Sequence, residues 1–520
     1  MQVRRWFARA LWVTGALLSL ASAALLLFLV LNVVRFPLEL EVRESPVWLN
    51  VLALRAGINV FTDQTHIFIN MYHGPMETLL KAGLGILMPF LSSHVVTRIF
   101  VLGDLLVLWT TIWIFLRKKV HHPSLWATLW AAGLYALLNG LPGVTTYNLL
   151  TGRADATALF FFVLLILVSE IKVTQSTSLL FRGLLEGPLI GLCVFSNTRF
   201  VAAAGTYYLY VLLTDRLIIP PPRHPIIKRA GGASLALVGM GLIFLFGIFK
   251  GDVHSYYSHF FGYFLDSGGY KIVPIAPFEW FPGQLFSGNR TPLLVLWPMV
   301  MLLEIWTYRR QRRIRIQHAL AAWLPLVALY LVTIVGYWLN RRGSGTYYFD
   351  PWIVWLCIAC LRAWMGFTGR LQLVTGIAIV GIGLATANWQ SIYRQAMDLY
   401  RTEPEASHFR KEMEALDREN PILSEDAFFF KKDFNGAVID MGDSVEDFFN
   451  RGFGTPEFRG FVSRYFSEVE SHPPKYVYLG GAASSHLSQL VARRYRVLLT
   501  SPPCMHANGP RPTFLYVRKD

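Results

Sequence analysis

Three glutamates, Glu39, Glu41 and Glu44, stand directly behind a hydrophobic run that ends near residue 34. A carboxylate held against a hydroxyl can take its proton. Elsewhere arginines stand at the ends of apolar runs: Arg98, Arg153, Arg199, and the adjacent Arg341 and Arg342. A guanidinium is permanently charged and grips two anionic oxygens at once, which suits phosphate. Each residue also has a plain reading. Glutamates beside lipid can be ordinary interfacial charges, and arginines at span ends commonly snorkel towards head groups. Asp155 can simply pair with Arg153, two residues away. The case rests on the arrangement of these residues, not on any one of them.

The elements that must position them are membrane helices. The chain has 520 residues, 54% of them hydrophobic, and 16 tryptophans. That is too apolar for a soluble protein of this size. Apolar runs at about 10–34, 97–116, 124–141, 156–170, 183–197, 200–214, 231–249, 292–307, 319–338, 351–367 and 371–388 each suit a helical span. The first comes after Arg4, Arg5 and Arg9 and lacks a cleavage site close behind it, so it reads as a retained signal anchor. The formal net charge of +15 does not point to nucleic acid. From Ser391 onward there are 17 basic and 18 acidic residues. The excess therefore lies in short clusters between apolar runs, "LRKKVHH", "PPPRHPIIKRA" and "YRRQRRIRIQH", as in cytoplasmic loops.

Segment 75–91, "PMETLLKAGLGILMPFL", decides the orientation. If it crosses, every later basic cluster lands on the wrong face; if it lies in the interface as an amphipathic juxtamembrane helix, all of them fall inside. The interfacial reading gives about eleven spans and a cytoplasmic amino terminus. The expected fold is mainly α: a polytopic membrane bundle, residues 1–389, with juxtamembrane helices. A small extracytoplasmic α/β domain, residues 390–520, completes the chain. There "HFRKEMEALDREN" reads as a helix, and "AVIDM", "KYVYLG" and "YRVLLT" as short strands. Cys357 and Cys360 lie one turn apart inside an apolar run and read as packing residues, so no metal is assigned to them.

With this orientation the unusual polar residues gather on the outer face. The three glutamates, Asp63, His66, His73 and Arg98 belong to the first outer loop or its edge. Arg153 and Asp155 close the second, and Asn197 and Arg199 occupy the next turn. Arg341, Arg342, Tyr347, Tyr348 and Asp350 form a later one. Charge at a membrane boundary is costly unless paired or hydrated, and the clustering suggests a shared cavity.

The order of these motifs resembles the GT-C superfamily of polytopic glycosyltransferases. Glu44-Ser45 stands where many bacterial members have glutamate-glycine, and Gly57 keeps the spacing to a following glycine. "MYHGPMETLL", with Tyr72 and His73, resembles the family's tyrosine-proline region, and Arg98 its arginine at the next span. "GRADATALFFFVLLI" matches an arginine-x-aspartate before a span, through Arg153 and Asp155. Arg199 matches a basic residue at an outer turn. "GSGTYYFDPW" and "NPILSEDAFFF" resemble later elements. Ser45 replaces the usual glycine, Tyr347 stands where asparagine is expected, and the adjacent acidic pair of several related families is missing.

The resemblance implies transfer of a hexosyl or pentosyl group from a polyprenyl-phosphate donor to a hydroxyl of a glycan, lipid or protein, outside the cytoplasm. It and the compact loops imply a bacterial inner membrane. The phosphate leaves as an anion without needing a proton, unlike the alcohol in glycoside hydrolysis, so one carboxylate suffices. Glu44 is the first choice, with Glu41 or Glu39 next, and a single displacement inverts the anomeric centre. Arg98, Arg199 and Arg341 or Arg342 would hold the phosphate. Asp155 would bind hydroxyls or orient Arg153. A divalent cation on Glu39, Glu41, Glu44 and Asp155 is conceivable, but loose carboxylate spacing argues poorly for one. The alternatives are a lipid or lipid-linked sugar flippase, which the missing internal repeat disfavours, and a scaffolding membrane protein.

Overall fold

The computed structural model describes residues 2–40, 44–62, 74–119, 154–170, 177–218, 225–254, 291–309, 313–339, 350–367, 371, 374–375, 389–420, 422–424, 456–479, 485–501, 504–506, 509–511 and 513–519. The predicted runs 97–116, 156–170, 292–307, 319–338 and 351–367 each fall within a single helix, give or take a residue at the ends. Helix α1 is Gln2–Arg35, α2 Glu44–Arg55, α3 Pro75–Leu87, α4 Ser93–Lys119, α5 Ala154–Glu170 and α6 Thr177–Ser196. A tight three-residue turn, Thr198–Phe200, leads into α7, Val201–Ile218. Helix α8, Pro225–Leu242, widens into a π-helical turn at Ile243–Ile248. Then come α9 Thr291–Arg309, α10 Arg313–Leu339, α11 Asp350–Gly366 and α12 Trp389–Glu419. The expected span at 124–141 and most of that at 371–388 lie outside the described residues.

Two described helices are long and apolar enough to cross a membrane, over Leu179–Ser196 and Ile226–Ile248. Shorter apolar helical stretches run over Ala23–Arg35, Ala154–Ser169, Ala319–Val335 and Pro351–Trp364. Leu235, Val238, Leu242, Ile243 and Phe246 stand exposed on or just beyond α8, as do Leu324, Leu331 and Val335 on α10. Water would penalise apolar faces of that extent, whereas hydrocarbon accepts them. Helices α6 and α8 pack closely because Gly183 and Gly187 of one meet the α8 backbone near Arg229 and Ala233, where a Cβ would clash. Small residues at such crossings let backbones approach, as membrane helices require.

The described residues between α1 and α4 form short helices and turns. Helix α2 ends at Gly57, whose φ of 84° only glycine adopts freely. Segment 75–91, expected in the interface, gives a 13-residue α3 that stops at Met88. That length rises about 20 Å, short of the ~30 Å of hydrocarbon. Its buried face holds Glu77 and Lys81, paired at 2.5 Å, while Ile86, Leu87, Met88 and Phe90 beyond them are exposed. The charged pair thus faces the protein and the apolar end faces out.

Helix α12 lies along α1 and starts at Trp389, so the charged run 408–420 is the end of a longer helix than its pattern suggests. Beyond it come β1 Ile422–Ser424, α13 Pro456–Ser471, β2 Tyr476–Leu479, α14 Ser485–Arg494 and β3 Tyr495–Thr500. A small hairpin, β4 Cys504–His506 and β5 Gly509–Arg511, precedes β6 Phe514–Arg518. The sheet order is β1-β2-β6-β3, with β1 and β2 parallel and β6 antiparallel to both neighbours. "KYVYLG" and "YRVLLT" are strands as expected; "AVIDM" lies outside the described residues. One apolar core joins α1 through α7, α9, α10 and α11 with Phe409, Tyr478 and Leu515, so the α/β region is packed onto the bundle.

Candidate functional site

The chain leaving α1 is fixed by a buried clamp. Arg98, in the second turn of α4, and Glu44, which opens α2, are both fully buried. Arg98 Nε donates to Glu44 Oε1 at 2.8 Å and Nη2 to Oε2 at 2.6 Å, a two-pronged ion pair. Arg98 Nη1 donates to Val33 O and Phe36 O, and Nη2 also donates to Leu38 O. All five guanidinium N–H groups therefore have acceptors. Glu44 Oε2 additionally accepts from Leu40 N at 3.0 Å. The clamp thus grips Leu38 by its carbonyl and Leu40 by its amide. Glu39, nearly buried at 9% exposure, is the residue between them.

A second arginine reaches the same stretch from far along the chain. Arg410 of α12 donates from Nη1 to Pro37 O at 3.1 Å and from Nη2 to Ser93 Oγ at 3.0 Å. Its Nη1 also lies 2.6 Å from His94 Nδ1, and its Nε donates to Glu414. Facing Arg410, that ring nitrogen must be an acceptor, so the imidazole is neutral. Burial, then the positive charges of Arg410 and Arg98, hold His94 well below its ordinary pKa. Residues 36–40 are thereby held from two sides, by α4 and by α12.

The ends of other helices are joined by contacts of their own. Asp155, in the first turn of α5, accepts from Asn197 Nδ2 at 2.9 Å, and both are buried. Asn197 Oδ1 in turn accepts from Arg199 N, capping the turn into α7. Gly74, with φ of 111°, sits against the carbonyls of Phe195 and Ser196, where any Cβ would collide. That close approach joins the start of α3 to the end of α6, beside Asn197. Asn59 Nδ2 donates to Ile248 O, and Phe61 packs on Phe249, tying the first loop to the end of α8 as well.

No family model and no curated protein matches the sequence. Solved structures do match by shape. ArnT from Cupriavidus metallidurans in the apo state covers 99% of this chain and 98% of its own, with a TM-score of 0.56 at 11% identity. The structure of the same protein bound to undecaprenyl phosphate gives 97%, 98%, 0.56 and 11%. The likeness runs the length of both molecules, α/β region included. The chain shares the fold of ArnT. The archaeal oligosaccharyltransferase AglB from Archaeoglobus fulgidus, in complex with an inhibitory peptide and a dolichol phosphate, is more distant, with a TM-score of 0.42 at 12% identity over 92% of this chain and 70% of its own.

Within this fold the expected site residues divide into three groups. Glu44 and Arg98 meet each other, and Glu39 lies within their grip. Asp155 and Arg199 meet through Asn197, at the next pair of helix ends. Glu41, Tyr72, His73, Arg153, Arg341, Arg342, Tyr347 and Tyr348 lie outside the described residues. Among the described residues no group of three His, Cys, Asp or Glu gathers to hold a metal ion. Sequence reasoning passed over Arg410, Ser93 and His94. A buried arginine in an otherwise solvated charged helix gives no local signal, since its partner is 373 residues away.

Proposed function

We propose that this protein is a membrane glycosyltransferase that moves a sugar from a polyprenyl-phosphate donor to an acceptor hydroxyl, outside the cytoplasm, with inversion. The observation that carries the proposal is the Arg98–Glu44 clamp, which holds both backbone neighbours of Glu39. A GT-C fold supports the same class of reaction, and ArnT is a protein of this fold with a structure bound to undecaprenyl phosphate.

The contacts favour a different division of labour from the one read off the sequence. Glu44 has both oxygens engaged by three donors, and Arg98 has no N–H left for a phosphate. We assign them to positioning. Glu39 becomes the base: it takes the proton of the acceptor hydroxyl as that oxygen bonds to the anomeric carbon. The bond from that carbon to the phosphate oxygen breaks, and the phosphate leaves as an anion. Arg199 is the described candidate to stabilise it, and Asp155 acts through Asn197 to fix the turn that carries Arg199.

The test uses purified protein in liposomes with radiolabelled polyprenyl-phosphate sugars and a membrane extract as acceptor source. Labelled product is expected from the wild type. Glu39→Gln should cut transfer by about 10²–10⁴-fold while leaving donor binding and the unfolding midpoint unchanged. Donor movement across the bilayer without consumption would sink the transferase reading in favour of a flippase.

A further inference from the structure

The deeply buried arginines of the described membrane region each have an oxygen partner: Arg98 on Glu44, Arg182 on the Val168 and Ser169 carbonyls, and Arg229 on Glu186. Arg55, the half-buried last residue of α2, does not share the pattern. Its guanidinium lies over the Trp48 ring, with Cζ 5.3 Å from the centroid, one cation–π contact on its own helix. Its Nε is buried without a hydrogen-bond acceptor, and among the described residues no ion pair reaches it. Its other end rests on α3 at Gly85, where a Cβ would strike Nη2. The missing side chain at Gly85 thus makes room for the charge. Burial is the cause that lowers its pKa, with no opposing carboxylate.

The residues just after Gly85 are apolar and bare: Ile86 is 67% exposed, Leu87 77% and Phe90 79%. A guanidinium without an anion among the described residues therefore adjoins an exposed apolar end of a juxtamembrane helix. Lipids with a phosphate head combine the two matching chemistries, an anionic multi-oxygen head for the fork of Arg55 and a hydrocarbon chain for the apolar end. Arg55 and Glu44 are the two ends of the 12-residue α2, about 16 Å of helix rise apart. One phosphate cannot serve both ends.

We infer that Arg55, Gly85 and the exposed residues after it form a lipid-phosphate binding site, distinct from the carboxylate cluster at the other end of α2. The site stands apart from the transfer reaction and does not require it. Its occupant is a phosphate-bearing lipid, drawn either from the bilayer phospholipids or from polyprenyl phosphate.

Native mass spectrometry of the purified full-length chain tests this, with phosphatidylglycerol, undecaprenyl phosphate and phosphate-free diacylglycerol as probes. The wild type should retain the two phosphate lipids and not diacylglycerol. Arg55→Ala should weaken that retention by about tenfold, the loss of one charge-assisted contact. Gly85→Ala keeps the charge but pushes the guanidinium off its seat, and should weaken retention too. Because only the flexible end of an arginine must move, it should fold normally, so it carries the test should Arg55→Ala misfold. Preferential displacement of phosphatidylglycerol by undecaprenyl phosphate would make this a donor-side site, and the reverse a phospholipid site; either supports the inference. Retention unchanged in both variants, or diacylglycerol retained as well as the phosphate lipids, would overturn it.

Discussion

Among the described residues, the buried glutamate–arginine pairs Glu186–Arg229 and Glu44–Arg98 do different things. Glu186 of α6 pairs with Arg229 of α8 through both oxygens, and with Arg182 one turn back on its own helix. The described backbone that carries these residues is helical, and Arg182 also caps the end of α5 through the Val168 and Ser169 carbonyls. That cluster fastens helices already brought together by Gly183 and Gly187. Glu44 and Arg98 instead hold irregular chain: three of the five arginine bonds go to carbonyls at and beyond the end of α1. Buried charge is expensive in both places. Only at the Glu44–Arg98 pair does it give a fixed shape to a segment that has no hydrogen-bonding pattern of its own, and that segment carries a candidate catalytic carboxylate.

The largest effects should come from breaking each pair. Glu44→Gln and Glu186→Gln each leave a buried guanidinium without its counter-charge, and each should lower unfolding free energy by about 3–5 kcal/mol, measured by denaturant titration in detergent. The contrast lies in activity per folded molecule, which Glu44→Gln should abolish and Glu186→Gln should preserve. Equal activity loss in both would erase the distinction. Arg410→Ala should cost about 1.5–3 kcal/mol, as hydrogen bonds from a charged group are lost. Hydrogen exchange should accelerate at Leu38 and Leu40 but not in α6 or α8. Protection unchanged at those amides would show that α12 does not brace the loop.

Asn197→Ala removes a cap and the partner of Asp155, worth about 1 kcal/mol. If Asp155 acts through this link, the variant should raise KM for the donor with kcat little changed, as Asp155→Asn should. The smallest effect concerns pH. His94 stays uncharged in the fold because burial, Arg410 and Arg98 depress its pKa, whereas the unfolded chain recovers an ordinary imidazole. The unfolded state therefore binds the proton first. Stability that is full above pH ~6.5 should fall as the pH drops towards the depressed folded value, by at most ~1.4 kcal/mol per pH unit. His94→Gln should flatten that slope.

Much of the fold was legible in the residues. Apolar runs became helices because any backbone crossing hydrocarbon must satisfy its own hydrogen bonds. Residues 495–500 became a strand as their apolar, β-branched and aromatic character suggested. Segment 75–91 gave a helix too short to cross. In the sequence Gly57 signals only its spacing in the family resemblance; its positive φ, just beyond α2, came from the structure. The candidate site was legible only as a set of residue types near one boundary. Glu44 and Arg98 stood out as a carboxylate and a cation, and their composition suited a base and a phosphate ligand equally well.

Sequence alone determined that the described apolar runs are helical, which segments carry charge, and that carboxylates and guanidiniums stand near the ends of the apolar runs. Tertiary structure decided their partners. Arg98 meets Glu44 across 54 residues, and Arg410 meets Pro37 across 373. Arg55, by contrast, has among the described residues only its neighbour Trp48 and the gap at Gly85. The physical reason is that a charge in a low-dielectric interior is governed by whatever lies within a few ångströms of it. Those neighbours are set by how distant helices pack, which no local pattern records.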